Sequence, residues 1–154
     1  ASAWLLCIMM HSNHAEARIV EELRASGALT ISLVADQSQT ILGHVAFSPI
    51  TWSDHSTNWF GLGPVAVEPQ AQKQGIGAKL ILQGLAQLRE RGAKGCVVMG
   101  EPDYYQRFGF RARTDMVYPG VPPQYFMALA FQDQWPQGEA RYHDAFIRIE
   151  RVEG

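Results

Sequence analysis

Apolar residues recur along the chain with two periods, and the switches between them mark out its elements. Residues Ala15 to Ser26 place Ala15, Ile19, Val20 and Leu23 on one helical face with charges on the other. Asn13 stands where an N-cap belongs, Glu16 follows three residues later as in a capping box, and Gly27 supplies a stop. Leu29 to Ala35 alternates and is rich in β-branched residues, which predicts a strand. The polar run Asp36-Gln37-Ser38-Gln39 predicts a turn, and Thr40 to Trp52 resumes strand character, completing a hairpin. Ser53 to Thr57 is polar and reads as a loop. Trp59 to Val67 is a further strand, interrupted by Gly61, Gly63 and Pro64. A proline cannot donate to a ladder, so it places this strand at an edge or on a bulge.

Gly75 to Arg91 carries the clearest helical pattern, with Ile76, Leu80, Ile81, Leu85 and Leu88 on one face and Gly92 closing it. Gly95 to Met99 is apolar at nearly every position, as in a strand buried on both faces. Gly100-Glu101-Pro102 turns the chain into a short helix, Asp103 to Phe108, which Gly109 ends. Tyr125 to Phe131 is another strand, Trp135-Pro136-Gln137-Gly138 a turn, and Phe146 to Arg151 a last strand. This order predicts an α/β (α+β) chain with a mixed sheet and one βαβ crossover in its second half. No repeat or linker divides the 154 residues, so one domain spanning the whole chain is expected.

Composition narrows the partners. A formal net charge of −2 argues against general affinity for nucleic acid, although a local basic pocket needs only a few aimed donors. Two cysteines, Cys7 and Cys96, make no disulfide framework, so a reducing, cytoplasmic setting is expected. No apolar run approaches the roughly 18 residues needed to span a membrane. The apolar segment Ala3 to Met10 lacks the basic lead and small-residue cleavage pattern of a signal peptide, and reads as a buried helix or strand. His11, His14, His44, His55 and His143 form no metal-ligand spacing, so no metal is expected. The chain contains no G-x-S-x-G turn of the serine hydrolases.

Two stretches carry candidate chemistry. In the first, the strand ending Val65-Ala66-Val67 passes Glu68 and Pro69 and enters Gln72-Lys73-Gln74-Gly75-Ile76-Gly77-Ala78 at the start of the long helix. The first amides of a helix have no intrahelical partner and point outward at the positive end of its dipole, so an anion can be held there without a basic side chain. Glycines at 75 and 77 would let backbone approach a ligand. A plain turn and cap is the other reading of the same residues. Leu80 breaks the dinucleotide fingerprint, and the Gly-Lys-Ser/Thr ending of a P-loop is missing. The second stretch is Gly100-Glu101-Pro102-Asp103-Tyr104-Tyr105-Gln106-Arg107-Phe108-Gly109-Phe110.

Together these stretches resemble the GNAT superfamily of N-acetyltransferases. Gln72-x-x-Gly75-x-Gly77 is similar to the family's Q/R-x-x-G-x-G/A signature, Val65-x-Val67-x-Pro69 to its lead-in, and Tyr105-x-x-x-Gly109-Phe110 to its later motif. The resemblance runs from about His11 to Tyr142-His143-x-Ala145-Phe146 and is nearest to a subgroup of predicted bacterial acetyltransferases. Residues Ala1 to Met10 do not read as the strand and polar turn with which the family opens.

What the resemblance implies is specific. The fold would be a mixed, mostly antiparallel sheet flanked by helices, with a V-shaped gap between the strands at Val65 and Val97. Acetyl-CoA would be the co-substrate. Its pyrophosphate would sit on the amides of Lys73, Gln74, Gly75, Ile76, Gly77 and Ala78, with Gln72 in the motif, and its pantetheine arm along Val65, Ala66 and Val67. Lys73 adds charge near the phosphates or is a solvated surface lysine. Aminolysis of a thioester expels a thiolate whose protonation eases departure, and the family's acid falls on Tyr105. Taken alone, Tyr105 also reads as a core aromatic. An amine with a pKa near 10 must lose a proton before attack, and Glu68 could take it directly or through water, or be a turn carboxylate. Tyr104, Phe108 and Phe110 read as packing residues, and Arg107 as a surface charge or a contact with the nucleotide end. The acceptor would be a small-molecule or peptide amine. Pro49 to Asn58 and Val117 to Gln124 are expected to wall its site, with Trp52, Trp59, Tyr118 and Tyr125 lining it or packing. A homodimer is open, as are another acyl-CoA substrate and a non-catalytic acyl-CoA-binding module.

Overall fold

The computed structural model describes residues 31–38 and 40–142. The helix expected at Ala15 to Ser26, the apolar segment before it and the strand expected at Phe146 to Arg151 lie outside the described residues. The hairpin forms as the alternation requires: β1 (Ile31–Gln37) pairs antiparallel with β2 (Thr40–Trp52), with a register shift at Ala35/Asp36. β3 (Trp59–Val67) returns antiparallel to β2, and α1 (Ile76–Glu90) then carries the chain across to β4 (Gly95–Met99), parallel to β3. The helix α2 (Pro102–Tyr105) continues as a 3-10 turn, Gln106–Phe108, ended by Gly109 at φ 101°. β5 (Arg111–Ala112), β6 (Met116–Val117), β7 (Phe126–Ala130) and β8 (Gly138–Arg141) complete a sheet ordered β5-β7-β4-β3-β2-β8-β6, with β1 also on β2. Pairing is antiparallel except at β3–β4 and β6–β8.

Both expectations for Pro64 hold at once. Val45 faces Val65 and Phe47 faces Leu62, so β3 carries one extra residue around Gly63-Pro64, a bulge. β3 pairs with β4 only at Trp59, Phe60 and Gly61. Among the described residues, β3 from Leu62 onward pairs only with β2, so Pro64 sits on a local edge there, where no donor is needed. β4 meanwhile runs on against β7 through Val98 and Met99. The two parallel strands therefore fork just past Gly61 and Val97.

Strand alternation divides the core into two layers. On one face Val97 and Met99 pack with Trp52, Trp59, Phe126 and Tyr142. On the other, Cys96 and Val98 meet Phe47, Leu62 and the apolar stripe of α1, Leu80, Ile81, Leu85 and Leu88. Each of those four α1 side chains contributes on the order of 2 kcal/mol by leaving water. Gly84 on the same stripe admits the Phe47 ring, since a β-carbon there would collide with it. The sequence shows no sign of β5, β6 and β8, which are two to four residues long and too short to display a period.

Candidate active site

The end of β3 and the start of α1 are joined by a shaped turn. A 3-10 turn, Pro69–Ala71, follows Glu68, whose amide donates to the Leu42 carbonyl at 2.8 Å. The Gln72 side-chain amide donates back to the Val67 carbonyl at 3.1 Å, tying the turn to the end of the strand. Gln74 makes a weaker bond of the same kind to the Gln70 carbonyl, at 3.4 Å. Lys73 and Gly75 both adopt left-handed backbone, at φ 64° and 80°. The helix proper begins one residue later than the pattern suggests, with Gly75 as its cap, and Lys79 N donating to Gly75 O closes its first turn at 3.0 Å. The amides of Ile76, Gly77 and Ala78 precede that bond and lack an intrahelical acceptor.

The two glycines serve different ends. A β-carbon at Gly75 would touch nothing among the described residues, and its backbone is left-handed at φ 80°, so its requirement there is conformational. Replacing Gly75 by Ala is expected to cost about 1 kcal/mol for left-handed backbone, lowering the melting temperature by a few degrees in a thermal scan. An unchanged midpoint would show that the turn relaxes freely. At Gly77 a β-carbon would lie 3.4 Å from Tyr104 Oη and 3.5 Å from Val67 Cγ2, ordinary contact distances. A methyl would fit at Gly77, and its absence leaves that much more room between strand, helix and tyrosine.

That space belongs to a pocket of about 270 Å³ lined by Val67, Ala71, Gln72, Lys73, Gly75, Ile76, Gly77, Ala78, Tyr104 and Arg107. The two candidate stretches, far apart in sequence, thus meet in one cavity. Val65, Ala66, Glu68 and Gln74 lie along the same strand and turn but do not line it. The tyrosine on its wall is Tyr104, half-buried, with its phenol pushed up by burial against an opposing effect of Arg107. The Arg107 guanidinium lies over the Tyr104 ring, 4.6 Å from its centroid. Tyr105 turns the other way into the core, 7% exposed, edge-on to Tyr104 at 5.0 Å and to Phe110 at 6.1 Å. Its ring covers Gly100, where any β-carbon would strike it. Tyr105 thereby packs against Gly100, the residue that follows β4.

A larger cavity, about 460 Å³, is lined by Thr51, Trp52, Ser53, Tyr118, Pro119 and the β8 residues Glu139, Ala140 and Arg141. Both segments expected to wall an acceptor contribute to it, although Pro49 to Trp52 is strand rather than loop. Tyr118 reaches from this cavity to Tyr142 at 5.6 Å, and the Tyr142 ring covers Gly61 at the fork. Trp59 instead packs edge-on to Trp52 in the core, and Tyr125 is absent from the lining. Among the described residues no cluster of His, Cys, Asp and Glu has the composition of a metal site, and no helix is long and apolar enough to cross a membrane.

A model of the GNAT acetyltransferase domain matches residues 29–112. YhbS of Escherichia coli K12, an uncharacterised N-acetyltransferase, is 36% identical over 142 residues, 88% of this chain and 85% of YhbS. The chain belongs to the GNAT acetyltransferase family. Solved GNAT structures share its fold. A GNAT family acetyltransferase from Brucella melitensis in complex with acetyl-CoA is 49% identical, with a TM-score of 0.76 over 90% of this chain and 82% of that one. E. coli YhbS in complex with CoA is 34% identical, with a TM-score of 0.82 over 90% and 81%.

Within this GNAT fold, Tyr104 and Arg107 are the pocket residues that sequence reasoning under-read. Their signal was present: residues three apart share one face of a helical turn, and that face need not be the one Tyr105 occupies.

Proposed function

We propose that this protein transfers the acetyl group of acetyl-CoA to a primary amine. One observation carries it: the parallel strands fork after Gly61 and Val97, and the side of β3 that has no partner among the described residues leads into the anion-receptive start of α1. A ligand with an extended polar arm and a diphosphate suits both features. The arm can bond to the unpaired edge of β3 as a strand would, while the phosphates take the amides from Lys73 to Ala78. The B. melitensis relative was solved with acetyl-CoA and YhbS with CoA, which supports this choice of ligand.

In the reaction the amine nitrogen attacks the thioester carbonyl, forming a C–N bond and a tetrahedral oxyanion. A backbone amide of Val65 to Val67 donates to that oxygen. Collapse breaks the C–S bond, and Tyr105 gives its phenolic proton to the departing sulfur. Glu68, or water it holds, takes the proton from the amine. The acceptor, a small-molecule or peptide amine, approaches through the cavity between Trp52 and Tyr118. Incubation with acetyl-CoA and a panel of primary amines is expected to release free thiol with at least one amine. Cofactor binding without thiol release from any amine or any acyl-CoA would instead make the protein an acyl-CoA-binding module.

A further inference from the structure

Building on the coenzyme A reading, we propose that Arg107 is the side-chain cation for the pyrophosphate, braced by the Tyr104 ring. A helix N-terminus supplies the equivalent of about half a positive charge, which leaves a diphosphate largely uncompensated. Among the described residues two cations line the pocket, Lys73 and Arg107. Lys73 projects from the turn itself, on exposed left-handed backbone. Arg107 comes from across the cavity, and its guanidinium is already placed on a ring wall, 4.6 Å from the Tyr104 centroid. Among the described residues it forms no salt bridge, whereas Arg113 is spent on Asp115 at 3.1 Å. Resting on the ring face restricts the guanidinium without using its N–H groups, so among the described residues its donors remain for an anion at little further entropic cost.

Tyr104 also fixes where that charge sits. Its hydroxyl oxygen lies 3.4 Å from a β-carbon position at Gly77, so the ring spans from α2 to the first turn of α1. The guanidinium resting on it is therefore held beside the same pocket that the α1 amides face. The next residue, Tyr105, packs edge-on against Tyr104 at an interplanar angle of 89°. Consecutive residues of one short helix thus brace the phosphate clamp on one side and carry the proposed acid on the other.

Titration calorimetry of wild type, Arg107→Gln, Tyr104→Leu and Tyr104→Phe with CoA, dephospho-CoA and pantetheine tests this. Arg107→Gln is expected to weaken CoA and dephospho-CoA equally, by about tenfold, the scale of one lost charge-assisted hydrogen bond. Pantetheine binding should not change. Tyr104→Leu should show part of the same loss and Tyr104→Phe, which keeps the ring, almost none. The salt dependence of CoA affinity should also flatten in Arg107→Gln. Undiminished CoA binding by Arg107→Gln at an unchanged melting temperature would overturn the proposal. So would a loss confined to CoA, which would put Arg107 on the 3′-phosphate. Wild type that bound no CoA would refute the cofactor reading itself, a separate and recognisable result.

Discussion

Changing Tyr105 to Phe is expected to lower kcat for acetyl transfer about 100-fold while leaving KM for acetyl-CoA within about twofold. The substitution removes one O–H and keeps the ring that packs on Gly100, Tyr104 and Phe110. General acids contribute about 100- to 10,000-fold. The low end applies because a thiol, with a pKa near 8.5, leaves more readily than an alkoxide or an amide ion. Gly100→Ala offers an independent route to the same atom. A β-carbon at 100 must displace the Tyr105 ring, so kcat should fall with the phenol still present. Steady-state kinetics under saturating amine would read both. Full turnover by Tyr105→Phe would end the proposal that it is the acid and leave it a core aromatic.

Phe47→Ala should cost about 4 kcal/mol of stability, close to 10 °C in melting temperature for a chain this long. Phe47 is 0% exposed and fills the hollow over Gly84 between β2 and α1. Much of the roughly 5–15 kcal/mol that holds a domain folded would then be lost. Gly84→Ala tests the same contact from the helix side. Alanine is the better helix former by about 1 kcal/mol, but forcing a methyl into the Phe47 ring costs about 1–3 kcal/mol. The collision should win, giving net destabilisation. Combining Gly84→Ala with Phe47→Leu should destabilise less than the two changes summed, because the smaller side chain yields the space. Strict additivity in denaturant melts would show that the two residues do not share a contact.

The candidate site was legible in unequal parts. Gln72 to Ala78 could be placed from sequence because a strand, a turn and a long amphipathic helix are each local patterns. The structure adds that Gln72 works on the protein itself, bonding to Val67, and that backbone conformation calls for glycine at 75 but not at 77. The pair Tyr104 and Tyr105 could not be sorted from sequence. In a helix of four residues one step of chain turns a side chain by about 100°, and only the surrounding core decides which tyrosine is buried. The larger cavity was anticipated in two of its walls, but β8, its third, gave no periodic signal.

The amino-acid sequence alone determined the hairpin, the interrupted β3, the crossover helix, the buried β4 and the glycine turn, since each rests on period, capping or backbone conformation within a few residues. Tertiary structure decided where β3 and β4 part, which tyrosine faces the pocket, and that Arg107 lines one pocket with the start of α1. Those facts depend on the register between distant strands and on packing against a shared core, and no local run of residues encodes either.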